Sequence, residues 1–273
     1  MVDARRGRPA SGLAWGDGHV LTSAHVLERE DEISVDAGDG PVSASLAGYD
    51  PATDIALLKV DGLKAPAAKR GDSSTLKPGS LVLAVGRPGR LQASLGMVAG
   101  LEAGGGRGMA AGRLIVSDAT LYQGFSGGPL LDASGQVVGI NSWFYGRGST
   151  RSLPVEEAAR VAEQLRLHGR VAQPYLGIGT QPLHLDEPAK AVAGQESGLL
   201  VVSVDAAGPA AAAGLRQGDI LVGVGGTATG RVRELVAALR GAGVGSVVAL
   251  RVLRGDAVAE LSATVAERAA EAE

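Results

Sequence analysis

The chain of 273 residues contains no cysteine. Disulfides and thiolate metal sites are therefore excluded, and the fold must be held by packing alone. Aromatic residues make up only 3% of the sequence, too few for a surface that stacks nucleic-acid bases. An excess of one charge is also missing. The 26 basic and 29 acidic side chains leave a formal charge of −3 and no basic footprint for nucleic acid. The cluster Arg5-Arg6-Gly7-Arg8 reads as a solvated edge. No apolar run approaches the ~20 residues needed to span a membrane as a helix. No signal-peptide pattern is visible, because Met1 leads within a few residues into Arg5-Arg6.

What is present is a chain with 45% hydrophobic residues, enough for real cores. Its length fits two domains of about 100–200 residues each. With 42 glycines and 12 prolines, many turns and short strands are expected rather than long helices. Short apolar runs at Ser11–Trp15, His19–Ser23, Ile33–Asp36, Val42–Tyr49 and Ile55–Val60 are separated by turn signals such as Gly16-Asp17-Gly18. After a Lys-, Pro-, Ser- and Gly-rich crossing segment, Asp61–Ser80, a second set follows at Leu81–Val85, Gln92–Leu101, Leu114–Asp118, Pro129–Leu131 and Val137–Trp143. Two β-barrels packed face to face are expected. Val155–Leu167 has helical apolar spacing, with Pro154 at its start and Gly169 at its exit. His168 complements the dipole at that helix's end, while His19 and His184 have no partners at ligand spacing and read as surface residues; no metal site is expected.

Gly124-Phe125-Ser126-Gly127-Gly128-Pro129-Leu130 is the most informative stretch. Glycines permit a sharp turn whose N–H groups converge beside the serine hydroxyl, as acyl transfer requires for its oxyanion. Alone, such a turn is ordinary. Upstream, however, His25 lies where a strand runs into a short turn, and Asp54 lies at the mouth of another strand. A serine hydroxyl needs an imidazole to take its proton and a carboxylate to orient that imidazole. The order His25, Asp54, Ser126 is one of three chain orders in which such a triad occurs on unrelated folds. Gly106-Arg107-Gly108-Met109-Ala110-Ala111 loosely fits a dinucleotide fingerprint, but no good helix follows, and Glu102–Gly112 reads as a surface loop.

Thr22-Ser23-Ala24-His25-Val26, Asp54-Ile55-Ala56-Leu57-Leu58-Lys59-Val60 and Gly124–Leu130 resemble the three catalytic blocks of the HtrA/Deg serine proteases, trypsin-like enzymes of protein quality control that act without ATP. From Tyr175 the chain resembles a PDZ domain of the same family, through Tyr175-Leu176-Gly177-Ile178, Gly198–Val204, Pro209–Leu221 with its Gly218-Asp219-Ile220-Leu221 block, and Val247–Arg254. The resemblance implies a mainly β protein: a chymotrypsin-like double β-barrel protease domain over 1–168, a hinge over 169–173 and a PDZ domain over 174–267. A helix is expected near Arg231–Arg240 and a frayed polar end over Ala266–Glu273.

By that resemblance Ser126 is the nucleophile, His25 the general base and Asp54 its orienting carboxylate, with the amides of Gly124 and Ser126 as the oxyanion hole. Asn141, Ser142, Trp143 and Leu121 would line the substrate cleft. No acidic residue stands near Leu121-Tyr122, so small or medium aliphatic side chains are expected there rather than Lys or Arg. Tyr175, Leu176, Gly177, Ile178 and Leu235 would bind peptide C-termini, the peptide adding as a strand. No cofactor is implied. Phe125 stands where the family usually has Asn, which excludes activation by pairing with a cut N-terminus and implies a hydrophobic anchor for the oxyanion loop. The substrates implied are unfolded or misfolded polypeptides. A catalytically silent, PDZ-bearing chaperone is the alternative. The Glu102–Gly112 loop corresponds to a regulatory loop of the family. The family's trimers imply a homotrimer or a monomer, and the compact loop Ala14–His19 argues against large cages. An extracytoplasmic location is expected, with an export signal or membrane anchor upstream of this chain.

Overall fold

The computed structural model describes residues 1–4, 9–28, 31–103, 113–145 and 150–268. The chain divides into two compact units, Met1–Val171 and Ala172–Glu273.

The first half of the first unit contains β1 (Val2–Asp3), β2 (Leu13–Gly16), β3 (His19–Ser23), β4 (Ile33–Asp36), β5 (Pro41–Asp50) and β6 (Ile55–Lys59). They form one antiparallel sheet in the order β1-β4-β5-β6-β3-β2. The sheet curls round until β1 meets the lead-in to β2, where Val2 and Ala10 exchange backbone hydrogen bonds of 2.9 and 2.8 Å. Here a curled sheet stands for the first barrel that the strand density suggests. The second half contains β7 (Leu81–Gly86), β8 (Gln92–Ala103), β9 (Arg113–Ser117), β10 (Pro129–Asp132), β11 (Val137–Ser142) and β12 (Thr150–Pro154), which close into a barrel. Neither β1 nor β12 stands out in the sequence. The residues 104–112, which include the fingerprint-like stretch and most of the expected loop, lie outside the described residues, as do Arg5–Arg8.

Alternation explains the two interiors. Val20, Ile33, Val35 and Leu58 fill the curled sheet, and Val82, Ala84, Ile115, Leu130 and Phe125 fill the barrel. A larger apolar cluster joins the halves: Leu21, Ile55 and Leu57 from the sheet meet Ile140 and Leu153 from the barrel. Helix α1 (Val155–His168) seals that seam with Val155, Ala158, Val161, Ala162 and Leu165. Glu156 and Glu157 in its first turn, and Arg166 and His168 in its last, match the helix dipole. Gly169 ends it in a left-handed cap, and Val171 still packs on this unit's core.

The crossing segment laces the halves together. Ala68 N–H donates to the Ala14 carbonyl, while Gly71 and Val137 N–H donate to the Val137 and Lys69 carbonyls, respectively. Glu156 then accepts from both the backbone and the hydroxyl of Ser73.

The second unit comprises β13 (Pro174–Tyr175), β14 (Ile178–His184), β15 (Ser197–Val204), β16 (Ile220–Val224), β17 (Thr227–Ala228), β18 (Val247–Arg254), β19 (Ala257–Thr264) and β20 (Ala266–Glu267). The main sheet runs β14-β15-β16-β18-β19, so β14 is an edge. Its helices are α2 (Glu187–Ala193), the single turn α3 (Pro209–Ala212) and α4 (Val232–Ala242). Leu235 and Leu239 of α4 enter a core with Leu176, Leu199, Leu221 and Leu250. Ala266 and Glu267 are not a frayed end: they pair with Tyr175 and Pro174 as a short ladder. Among the described residues no helix is long and apolar enough to cross a membrane.

Candidate active site and peptide groove

Asp54 is built by the turn that precedes β6. The Asp50 carboxylate accepts from Ala52 N–H at 3.2 Å and from the Thr53 hydroxyl at 2.7 Å, an Asx-type turn. The turn leaves Asp54 in the left-handed region at φ 54°, an uncommon state for a non-glycine residue. Several bonds hold it there. Its carbonyl accepts from Ala24 N–H at 2.9 Å, and its Oδ1 accepts from His25 N–H at 2.8 Å. Its Oδ2 lies 2.7 Å from His25 Nδ1 and also accepts from the Ser142 hydroxyl. From below, the Tyr145 hydroxyl donates to the Thr53 carbonyl at 2.5 Å. Burial, together with the nearby Asp54 and Asp50 charges, pushes the Tyr145 phenol well above its ordinary range, so it remains a donor.

The bond from Nδ1 to a buried carboxylate puts the proton on Nδ1 and leaves Nε2 as the basic nitrogen. His25 follows β3 in a single 3-10 turn, Ala24–Val26, and lines the pocket into which Ser126 faces. That pocket, of about 320 Å³, lies between the halves: Pro9, Ala10, His25 and Val26 come from one, Gln123, Gly124, Ser126 and Trp143 from the other. The Ser126 hydroxyl accepts from Trp143 N–H at 3.2 Å.

The serine turn is pinned at several points. Gly127 N–H donates to the Asn141 carbonyl and Asn141 N–H to the Gly128 carbonyl, both at 2.9 Å. Gly124 and Gly127 have φ of 85° and 82°. A Cβ on Gly124 would lie 2.3 Å from Pro88 Cβ, and one on Gly127 2.3 Å from the Ser11 carbonyl oxygen, so both conformation and space require glycine. The amides of Gly124 and Ser126 make no backbone–backbone hydrogen bond among the described residues, which leaves them available to a developing oxyanion. Phe125 is fully buried in the barrel, edge-on to Tyr122 with ring centroids 5.4 Å apart and against Gly86, as an anchor of the loop would be.

Leu121 and Trp143 line a second pocket of about 470 Å³ with Val116, Asp118, Thr120 and Thr150. Asp118 stands in its wall, so the site is not free of acid as the sequence around Leu121-Tyr122 suggests. One Asp118 oxygen is taken by Met97 N–H at 2.6 Å. Of the four residues expected in the cleft, Ser142 also lines this pocket and Asn141 does not. Asn141 is fully buried and its side chain bonds the Pro129 carbonyl and the Ser152 hydroxyl, so it supports the serine turn and offers nothing to a substrate. Ser142 turns its hydroxyl to Asp54, and also accepts from Phe144 N–H, because β11 directs that side chain under the carboxylate. His19 is half-buried rather than on the surface. Among the described residues no group of three or more His, Asp and Glu could hold a metal ion.

Tyr145, which donates to the Thr53 carbonyl, and Ser11, whose hydroxyl donates to the Gly124 carbonyl, were not legible as parts of this arrangement. Ser11 reads only as the first residue of the run Ser11–Trp15, whereas the strand begins at Leu13, and only the Asp50-x-x-Thr53 spacing offered a turn signal that could have led to the bonds around Asp54.

In the second unit Tyr175, Leu176, Gly177 and Ile178 turn into the edge strand β14. The Tyr175 hydroxyl donates to Asp205 at 2.9 Å, and the Gly177 carbonyl accepts from Asp205 N–H at 2.8 Å. Among the described residues the Leu176 and Gly177 amides make no backbone–backbone bond outside the strands and helices. Leu176 and Leu235 are buried, and their side chains belong to the core of the second unit.

A trypsin-like peptidase domain model matches residues 10–140, and a PDZ domain model matches residues 174–265. A probable periplasmic serine endoprotease, DegP-like, of Halomonas elongata is 34% identical over 273 residues, covering 97% of this chain and 57% of that protein. The putative serine protease HhoB of Synechocystis is 33% identical, covering 93% of this chain and 65% of the relative. The chain thus spans between half and two thirds of the length of these curated relatives. Among solved structures, the HtrA-type protease AlgW with a decapeptide superposes with a TM-score of 0.81 at 30% identity, covering 96% of this chain and 83% of that one. With a trypsin-like domain, a PDZ domain and a solved relative matched over most of its length, this chain belongs to the HtrA family of serine proteases.

Proposed function

We propose that the chain hydrolyses peptide bonds in unfolded or misfolded polypeptides, with Ser126 as nucleophile, His25 as general base and then acid, and Asp54 as the orienting carboxylate. Ser126 attacks the scissile carbonyl while His25 Nε2 takes its proton, and the Gly124 and Ser126 amides stabilise the oxyanion. His25 then protonates the leaving amine, and a water activated by the same imidazole releases the acyl group. Asp54 supports the imidazolium without itself taking a proton. The observation that carries this reading is the double hold of Asp54 on His25, at the backbone N–H and at Nδ1, beside a pocket shared with Ser126.

Peptide C-termini are the ligands we assign to the groove of the second unit, their carboxylate meeting the Leu176 and Gly177 amides and their backbone extending the sheet at β14. Relatives named as periplasmic endoproteases support an extracytoplasmic location, and family resemblance supports a homotrimer, which sedimentation tests.

Digestion of casein by the intact chain and by Ser126→Ala tests the activity. Cleavage that disappears in the variant supports it. An intact chain that suppresses aggregation yet cuts nothing overturns it in favour of a silent chaperone.

A further inference from the structure

Ser11 belongs to the first half of its unit, yet it grips the serine turn of the second at two places. It is 2% exposed. Its hydroxyl donates to the Gly124 carbonyl at 2.6 Å and accepts from Arg87 N–H at 2.7 Å. Its own N–H donates to the Ser126 carbonyl at 3.2 Å, and its carbonyl accepts from the Thr22 hydroxyl at 2.8 Å. The two residues whose amides form the proposed oxyanion hole are therefore the two whose carbonyls Ser11 holds.

We propose that Ser11 is a positioning residue for the oxyanion hole, fixing the peptide units that aim the Gly124 and Ser126 amides at the reacting carbonyl. The proposal rests on the hydrolytic reading above. Its physical basis is the freedom of glycine. At φ 85° and without a Cβ, Gly124 can rotate its flanking peptides with little steric resistance, so the direction of its amide needs an external hold. With its carbonyl bound to Ser11, the next amide, Phe125 N–H, is directed to the Tyr122 carbonyl at 3.0 Å, and the turn keeps one shape. The hydroxyl is suited to this because it serves as donor and acceptor at once. Removing it leaves two half-buried groups, the Gly124 carbonyl and Arg87 N–H, without their partner. The other two bonds of Ser11 are made by its main chain and survive truncation to alanine, so that substitution removes only the hydroxyl's bonds to Gly124 and Arg87.

Steady-state kinetics of Ser11→Ala on a peptide substrate, with thermal melting of the same protein, tests the proposal. A misaimed donor harms the transition state more than the bound substrate, so kcat should fall about tenfold to a hundredfold while KM stays within about twofold. Affinity for a peptidyl trifluoromethyl ketone, whose adduct carries an oxyanion, should fall with kcat/KM. Binding of the cleaved product peptide should not change. An unchanged kcat, or a loss spread equally over kcat, KM and product binding, would overturn the proposal. If Ser11→Ala does not fold, Ser11→Cys, similar in size and a weaker donor, should show the same loss confined to kcat; failure of both to fold assigns Ser11 to the scaffold and also overturns it. A folded intact chain that neither turns over peptide nor reacts with a fluorophosphonate at Ser126 sinks the hydrolytic reading and this proposal with it. Normal turnover by Ser11→Ala sinks the role of Ser11 alone.

Discussion

The hydroxyl of Ser142 donates to the same oxygen of Asp54 that holds His25 Nδ1. The two residues come from different halves of their unit, so the carboxylate that orients the imidazole is itself oriented from across the cleft. A carboxylate shared in this way keeps its charge directed at one edge of the ring.

Asp54→Asn tests that arrangement. An amide can present its NH₂ group to Nδ1 and thereby favour the wrong tautomer, and by the precedent of other triads turnover should fall by about 10⁴-fold with folding preserved. Ser142→Ala should lower kcat by about tenfold, the scale of one hydrogen bond to a charged group. Peptide-cleavage kinetics with circular dichroism of both variants measures the two effects.

Tyr145→Phe removes the donor beneath the Asp54 turn and leaves the Thr53 carbonyl enclosed and unpaired. Stability should drop by about 1–3 kcal/mol, and kcat should fall as Asp54 loses its support. Urea denaturation and peptide turnover on the same preparation give both readings.

Phe125→Ala empties a site whose ring fills the barrel against Gly86 and Tyr122. The expected loss is about 3–5 kcal/mol of stability, with activity lost through the adjoining serine turn. A thermal melt close to that of the parent would show that the ring does not anchor the loop.

Asp219 is 3% exposed and is bonded by both Nε and Nη2 of Arg254 at 2.8 Å. Burial pushes its carboxyl up, but the bonds from Arg254 and from the Arg216 amide prevail and hold it below the ordinary 3.8. The unfolded chain therefore binds this proton more readily, and the pair stabilises the second unit above pH 3.8. That contribution is lost as pH falls through the lower, folded value. Hydrogen exchange across β15, β16 and β18 should accelerate over that interval in the parent and vary less in Asp219→Asn, which should already exchange faster at pH 7.

Amidation of a peptide's C-terminus should weaken its binding to the second unit by at least about tenfold, because a neutral amide forfeits charge-assisted bonds to the Leu176 and Gly177 amides. Fluorescence anisotropy with the free acid and the amide of one hydrophobic peptide decides it.

Much of this was legible in the residues. Strands such as His19–Ser23 and Ile33–Asp36 announce themselves through alternation and flanking turns, and α1 through its apolar spacing and Gly169 exit. β12 did not, because Thr150-Arg151-Ser152 presents no apolar alternation and is a strand only by virtue of the neighbours β9 and β11. Ala266-Glu267 reads as a polar tail for the same reason: its partner Pro174-Tyr175 lies about ninety residues away in sequence. In the site, the residue types that carry chemistry were visible, but the side chains that hold them were not. Asn141 and Ser142 sit on the strand beside the serine turn, and only the pleat decides that one supports that turn and the other reaches Asp54. Ser11 reads only as the edge of the run Ser11–Trp15; its importance comes from bonds spanning 76 and 113 positions.

The segment that crosses from the curled sheet to the barrel ties itself to both and then to α1. In a protein without covalent cross-links, this makes the width of the reaction crevice a main-chain property. A substrate that pried the halves apart would have to unzip Ala68 from Ala14 or Gly71 from Val137. Opening the crevice therefore costs main-chain hydrogen bonds as well as apolar contacts.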